Sequence, residues 1–321
     1  MDMTKEQFAE ILKECSSGAA DLSQIIMRAN EIVKTGNPDF ICDFAEYVEK
    51  ADCREVMSML ESGMMAIGDP YYNYEMAFCM QFAGKKKFDL ARFEKDAIES
   101  GNPKIMCYFM GFVKEANIEN IMPNFLKCTN TKWLEHAREY IPFGAYLSEE
   151  QIEAAEKATE THDNAIPQVL RKYTNKTDKS QLSAEDIKNL QNQVLKNGQT
   201  GQVAAYEVVE LAENIEGCNR EKLLDAIINR NAPGDMLHAY EFGCSVPGAD
   251  TAKVIEALED SNSVKLLWYG MEYTDWNDAV ATQGCNRKMA ECIRKSGNEK
   301  YAKLADETLK TKEQEAAAIQ T

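Results

Sequence analysis

The chain contains ten cysteines, three histidines and 53 carboxylates. Those groups could serve metal binding, nucleophilic attack or proton transfer, and spacing decides which are assembled. His136, His162 and His238 are far apart, and no H-E-x-x-H pair places two imidazoles on one helix face. The cysteines at 15, 42, 53, 79, 107, 128, 218, 244, 285 and 292 form no C-x-x-C pair. No G-x-x-x-x-G-K-[ST] phosphate loop and no G-x-S-x-G nucleophile elbow occurs. Acidic pairs such as Glu94/Asp96 and Asp275/Asp278 are what so acidic a chain gives by chance. The sequence therefore predicts no catalytic residue, no metal ligand set and no cofactor, leaving only a Cys–His pair that the fold alone would assemble.

Residue types suited to recognition are better represented. Trp268, Tyr269, Tyr273 and Trp276 crowd a short segment and cannot all share one helix stripe. Tyr71 and Tyr74 likewise fall off the stripe that Tyr72 occupies. Trp and Tyr dominate binding hot spots, although core packing is the competing reading for each. Lys85, Lys86 and Lys87 form the one basic run, in a turn after Gly84. These nine residues are the candidate partner-binding set. The net charge is −17, with 15 acids against 6 bases over residues 1–80 and 15 against 5 over 200–280. Such a balance argues against direct nucleic-acid binding, which needs a basic face. It suits either a solvated outer surface or a protein partner with a basic surface.

The elements that must position these residues are repeats. Gly36-Asn37-Pro38, Gly68-Asp69-Pro70 and Gly101-Asn102-Pro103 stand 32 and 33 residues apart. Gly ends a helix in the left-handed conformation, Asn or Asp caps the next, and Pro fits its first turn. Behind each turn one apolar stripe recurs: Phe40, Phe44, Val48; Tyr72, Met76, Met80; Ile105, Phe109, Val113. A degenerate copy begins at Thr129-Asn130 with Trp133, Ala137 and Ile141. A second string, ending in a small residue and Asp or Asn, recurs at Ala51-Asp52, Ala116-Asn117, Cys218-Asn219 and Ala249-Asp250, with a decayed form at Gly284-Cys285-Asn286. Each ending is read as the N-cap of the unit's second helix. The pattern predicts an all-α solenoid of about nine helix-turn-helix repeats, each roughly 28–36 residues long.

The repeat, with Gly-Asp/Asn-Pro, an aromatic four places on, then Phe-Ala, Val and Ala-Asn/Asp, resembles degenerate α-helical repeats in uncharacterised proteins of Gram-positive bacteria and their phages. The match covers residues 31–120 and 194–260, while 145–190 departs from it. The resemblance supplies no catalytic residues to carry over. Tetratricopeptide repeats have a similar length, but their Trp, Leu-Gly and Tyr signature is absent.

The polar stretch 173–182 separates an N-terminal block, 1–172, from a C-terminal block, 183–321. Ser183 and Asp186 resemble a capping box opening the second block. Cysteines used as small core residues fit a reducing compartment. The acidic N-terminus lacks the pattern of a signal peptide, and no apolar run is long enough to span a membrane. The expectation is a cytoplasmic, non-catalytic, protein-binding adaptor or inhibitor. Acidity and resemblance together point to a basic nucleic-acid-processing or host-defence enzyme as its target. A structural or self-assembling repeat protein is the alternative. Polar terminal repeats predict a monomer or small homo-oligomer.

Overall fold

The computed structural model describes residues 3–199, 205–230, 232, 234–273 and 279–319. Among them every named element is helical, and the isolated bridge of Ala165 with Asp178 is the sole extended pairing. The chain is an all-α solenoid. It divides into two units, one of residues 1–168 with 178–180 and one of 169–177 with 181–321.

The first unit holds α1 (Lys5–Ser16), α2 (Leu22–Val33), α3 (Pro38–Tyr47), α4 (Arg54–Ile67), α5 (Pro70–Phe82), α6 (Leu90–Glu99), α7 (Pro103–Phe112), α8 (Ile118–Cys128), α9 (Thr131–Tyr140) and α10 (Glu149–His162). Helices α1, α3, α5, α7 and α9 contact one another in sequence as a front layer, backed by α2, α4, α6, α8 and α10. The Gly-Asx-Pro turns join back helix to front helix as read from sequence. Asn37, Asp69 and Asn102 accept hydrogen bonds from Asp39, Tyr71 and Lys104 amides at 3.0 Å. Gly68 closes α4 at φ +72°, a conformation open to glycine without strain. Asn130 caps α9 through Trp133 N–H at 3.0 Å.

The second unit holds α11 (Ala184–Gln199), α12 (Ala205–Asn214), α13 (Arg220–Ile228), α14 (Asp235–Ser245), α15 (Thr251–Asp260), α16 (Val264–Tyr273), α17 (Ala279–Lys295) and α18 (Glu299–Ile319). Here α12, α14, α16 and α18 form the front layer over α11, α13, α15 and α17. Ser183 and Asp186 make the reciprocal box that starts α11.

Two local expectations are corrected. Asp52 does not cap α4; Cys53 occupies that position without a side-chain bond, because the Asp52 carboxylate is turned to the next repeat. Gly284-Cys285-Asn286 is no turn but the middle of α17, with Asn286 buried. The polar stretch 173–182 makes specific contacts at both ends. Lys172 and Tyr173 both bind the buried Glu207 carboxylate, and Lys176 reaches Asp186 at 2.5 Å. Residues 178–180 instead belong with the first unit, where Lys179 N–H donates to Asn164 O at 2.7 Å. The first unit runs continuously to Gln168 and the second takes up at Val169.

Each layer buries its apolar stripe against the other, but burial is uneven. Helix α5 buries Tyr71, Tyr72, Asn73, Glu75, Met76, Ala77, Phe78, Cys79 and Met80, most of its circumference, and α14 is alike. A front helix meets a neighbour on each side as well as the back layer. Residues off the predicted stripe are thus enclosed too.

Candidate protein-binding face and buried donor cluster

The candidate lysines serve the stack. Lys85 Nζ donates to Val48 O of the preceding repeat at 2.9 Å. The amides of Lys86 and Lys87 donate to the two Asp52 oxygens at 3.1 and 2.8 Å, leaving only these two side chains exposed. Lys50 makes the same tie one repeat earlier, to Gly18 O and Ala20 O. One repeat later Gln81 spans Phe112 O and Lys114 N–H. The lysine run is therefore part of a ladder of side chain-to-backbone clasps.

A second ladder runs through the back layer. Glu61 of α4 accepts the Asp89 amide before α6 at 2.8 Å, and Glu94 of α6 accepts the Asn117 amide before α8 at 2.7 Å. In the second unit Gln191 of α11 accepts the Asn219 amide before α13 at 2.8 Å. Each side chain is buried and satisfies an N-terminal amide that the next helix cannot satisfy itself. Burial pushes the Glu61 carboxyl above the ordinary carboxylate range, against the opposing Asp89 hydrogen bond.

Three of the six candidate aromatics are interior. Tyr71 is 1% exposed and Trp268 3%, with Tyr269 also buried. Trp268 packs on Tyr269 and Tyr301 and donates Nε1–H to Thr308 Oγ1 at 3.2 Å. These three cannot form a docking surface in the folded chain. Tyr273 closes α16, and Trp276 lies outside the described residues.

Tyr71 instead walls an enclosure for Lys104. That lysine is 1% exposed, and its ammonium lies 5.1 Å from the Tyr71 ring, 5.8 Å from Tyr108 and 5.6 Å from Trp133. Aromatic faces attract a cation most strongly when water is excluded, which suits so buried an ammonium. Above it the rings continue to the surface. Tyr74 contacts Tyr108 at 5.2 Å, Tyr108 contacts Phe112 at 5.9 Å and Phe112 contacts Tyr140 at 4.9 Å. His136 packs on Trp133 and Tyr140 at 5.3 and 5.1 Å. Tyr74, Tyr108, Phe112 and His136 are half-buried, while Phe82 and Tyr140 are each 45% exposed. Gly111 makes room for this face, since a Cβ there would stand 3.3 Å from Tyr140 Cβ. Sequence reasoning found Tyr74 but missed the rest; for Tyr108, Phe112, His136 and Tyr140 the available signal was their place seven and eleven residues past Gly101 and Thr129.

The interior of α3 and α5 holds a donor set that spacing alone did not reveal. Cys42, Glu75 and Cys79 are all buried, and one ligand atom from each lies within 4.8 Å of the others. Cys79 Sγ donates to Glu75 Oε1 at 3.3 Å. Glu75 and Cys79 share a helix face at i, i+4, whereas Cys42 comes from the repeat before. No other such group occurs among the described residues.

Comparison of the chain with protein-family models, curated proteins and solved structures finds no match. No helix among the described residues is long and apolar enough to cross a membrane. The arrangement itself must carry the functional reading.

Proposed function

We propose that this chain is a non-catalytic protein-binding solenoid, an acidic adaptor or inhibitor, and that its docking surface is the aromatic front of α5, α7 and α9. The observation that carries this reading is the unbroken run of rings from Tyr74 through Tyr108 and Phe112 to Tyr140 across three successive repeats. Surface aromatics contiguous over several repeats give large contact area at low entropic cost, and repeat proteins bind through such extended faces. The net charge of −17 favours a partner with a basic surface and steers it before contact. With the resemblance to phage and bacterial repeats, this makes a basic nucleic-acid-processing or host-defence enzyme the target to try first, from a cytoplasmic setting.

The test pairs Phe82→Ala with Tyr140→Ala, both at half-exposed positions where truncation spares the core. Binding of the basic protein recovered by affinity capture should weaken more than tenfold by titration calorimetry, with helical circular dichroism retained. Unchanged affinity would remove this face from the reading. A concentration-dependent mass in light scattering, abolished by the same pair, would make the occupant a second copy of the chain.

A further inference from the structure

We propose that Cys42, Glu75 and Cys79 hold a zinc ion that clips α3 to α5, joining two successive repeats through the front layer. The three donor atoms already lie within 4.8 Å of one another in a water-poor interior. Tetrahedral zinc, with Zn–S of about 2.3 Å and Zn–O of about 2.0–2.2 Å, holds its ligands roughly 3.5–3.8 Å apart. The approach needed is therefore about 1.3 Å or less. The Cys79–Glu75 pair is at 3.3 Å before any metal enters.

The donor chemistry selects the metal. Two thiolates favour soft and borderline ions, and the carboxylate oxygen shifts the choice from monovalent copper towards zinc. Both thiols lose their protons to solvent, two Zn–S bonds form, and the carboxylate supplies the third bond. Three protein ligands leave the fourth position for water. The i, i+4 spacing of Glu75 and Cys79 presets two ligands on one helix, and Cys42 joins them from α3 of the repeat before.

The slots taken by Glu75 and Cys79 are held by Tyr108 and Phe112 in α7, and by His136 and Tyr140 in α9. Cys107 repeats Cys42 in its slot but meets no such partners, and burial pushes its thiol up to about 12. It is the internal control.

The test is cobalt titration of the reduced, chelator-treated full-length protein. One equivalent should produce thiolate-to-cobalt charge-transfer absorbance with tetrahedral visible bands, and zinc should displace it. Cys42→Ser and Cys79→Ser should each abolish the absorbance, Cys107→Ser should keep it, and Glu75→Gln should weaken cobalt binding more than tenfold. Circular dichroism on every variant separates loss of a ligand from loss of fold, and Glu75→Gln carries the test should either serine variant unfold. Zinc should raise the Tm of the wild type and leave Cys42→Ser unmoved. Absence of thiolate absorbance, its survival in both serine variants, or peptide mapping that finds Cys42 and Cys79 joined as a disulfide in the purified protein would overturn the proposal.

Discussion

The back-layer clasps make a prediction that separates a hydrogen bond from a charge. Glu61 Oε1 accepts the Asp89 amide at 2.8 Å, and its carboxylate is also approached by Arg92 Nη1 at 3.9 Å, from a side chain 39% exposed. Glu61→Ala removes the acceptor and leaves the Asp89 N–H facing the interior. Leaving such a donor unmade costs about 1–3 kcal/mol, and the lost methylene adds about 0.8 kcal/mol. Glu61→Gln keeps an oxygen in the same place and removes the burial cost of the charge. The second unit already uses that solution, where Gln191 holds the Asn219 amide at the same distance. The long, exposed Arg92 contact is worth little. The assay is native-state hydrogen exchange at Asp89 and through α6, because repeats open locally. With 1.4 kcal/mol per tenfold, Glu61→Ala should speed exchange there by about 20- to 500-fold, and Glu61→Gln should leave it within about threefold. The pH dependence gives a second readout. The folded carboxyl titrates above its unfolded value, so Glu61 contributes stability that is present below about pH 4.5 and lost as pH rises through the folded pKa. The Gln variant lacks that slope, so wild type should lose stability relative to it on the alkaline side. Equal damage from Ala and Gln, or none from Ala, would refute the clasp.

Two other consequences are direct. Gly63 in α4 sits against α2, and a Cβ there would stand 2.8 Å from both Val33 methyls, whose branched side chain has little freedom. Gly63→Ala should cost about 1–3 kcal/mol in urea unfolding, as overpacking does, despite the better helix propensity of alanine. Burial chiefly, then Lys132 and Lys104, hold the His136 imidazole below its ordinary 6.5, with Glu139 at 3.5 Å opposing. The unfolded chain then takes up the proton first, so stability should fall as pH drops from about 6.5 towards the folded value. Ring-proton NMR should give a His136 midpoint below 6.5, and His136→Gln should flatten that part of the stability profile; a midpoint above 6.5 would contradict the enclosure.

The turns were legible because each carries its whole chemistry within three residues: an αL glycine, a capping Asn or Asp, and a first-turn proline. The stripes were legible because period 3.6 needs no partner to be seen. The clasps were not, since Asp52 and Glu61 find their amides 34 and 28 residues onward. An Asp ahead of a helix reads as a cap until the neighbouring repeat claims it. Tyr71 and Trp268 entered the candidate set beside a core-packing reading, Tyr71 because it falls off the stripe and Trp268 because it crowds with other aromatics. That criterion fails for a front helix, which is covered on two flanks as well as behind. The same crowding hides Glu75 beside two thiols, a donor set split between repeats that no contiguous motif records.

The repeat also indicates where function resides. Slots four, eight and twelve past each turn are apolar and nearly invariant in character: Phe40, Phe44, Val48 in α3 and Ile105, Phe109, Val113 in α7, all buried. They are held by stacking, and any stack needs them. Slots seven and eleven vary in kind, running Asp43 and Tyr47, then Glu75 and Cys79, then Tyr108 and Phe112, then His136 and Tyr140. Every one of these pairs lies on the front layer. A position that the scaffold does not constrain would drift to solvated polar residues, as the exposed faces of α6 and α10 have. Here it carries rings that touch between α7 and α9 and, in α5, a carboxylate and thiol that meet Cys42. Aromatic surface costs solubility, and a buried carboxylate costs desolvation. Both lie on the front layer, which is where a stack of interchangeable units can be made specific.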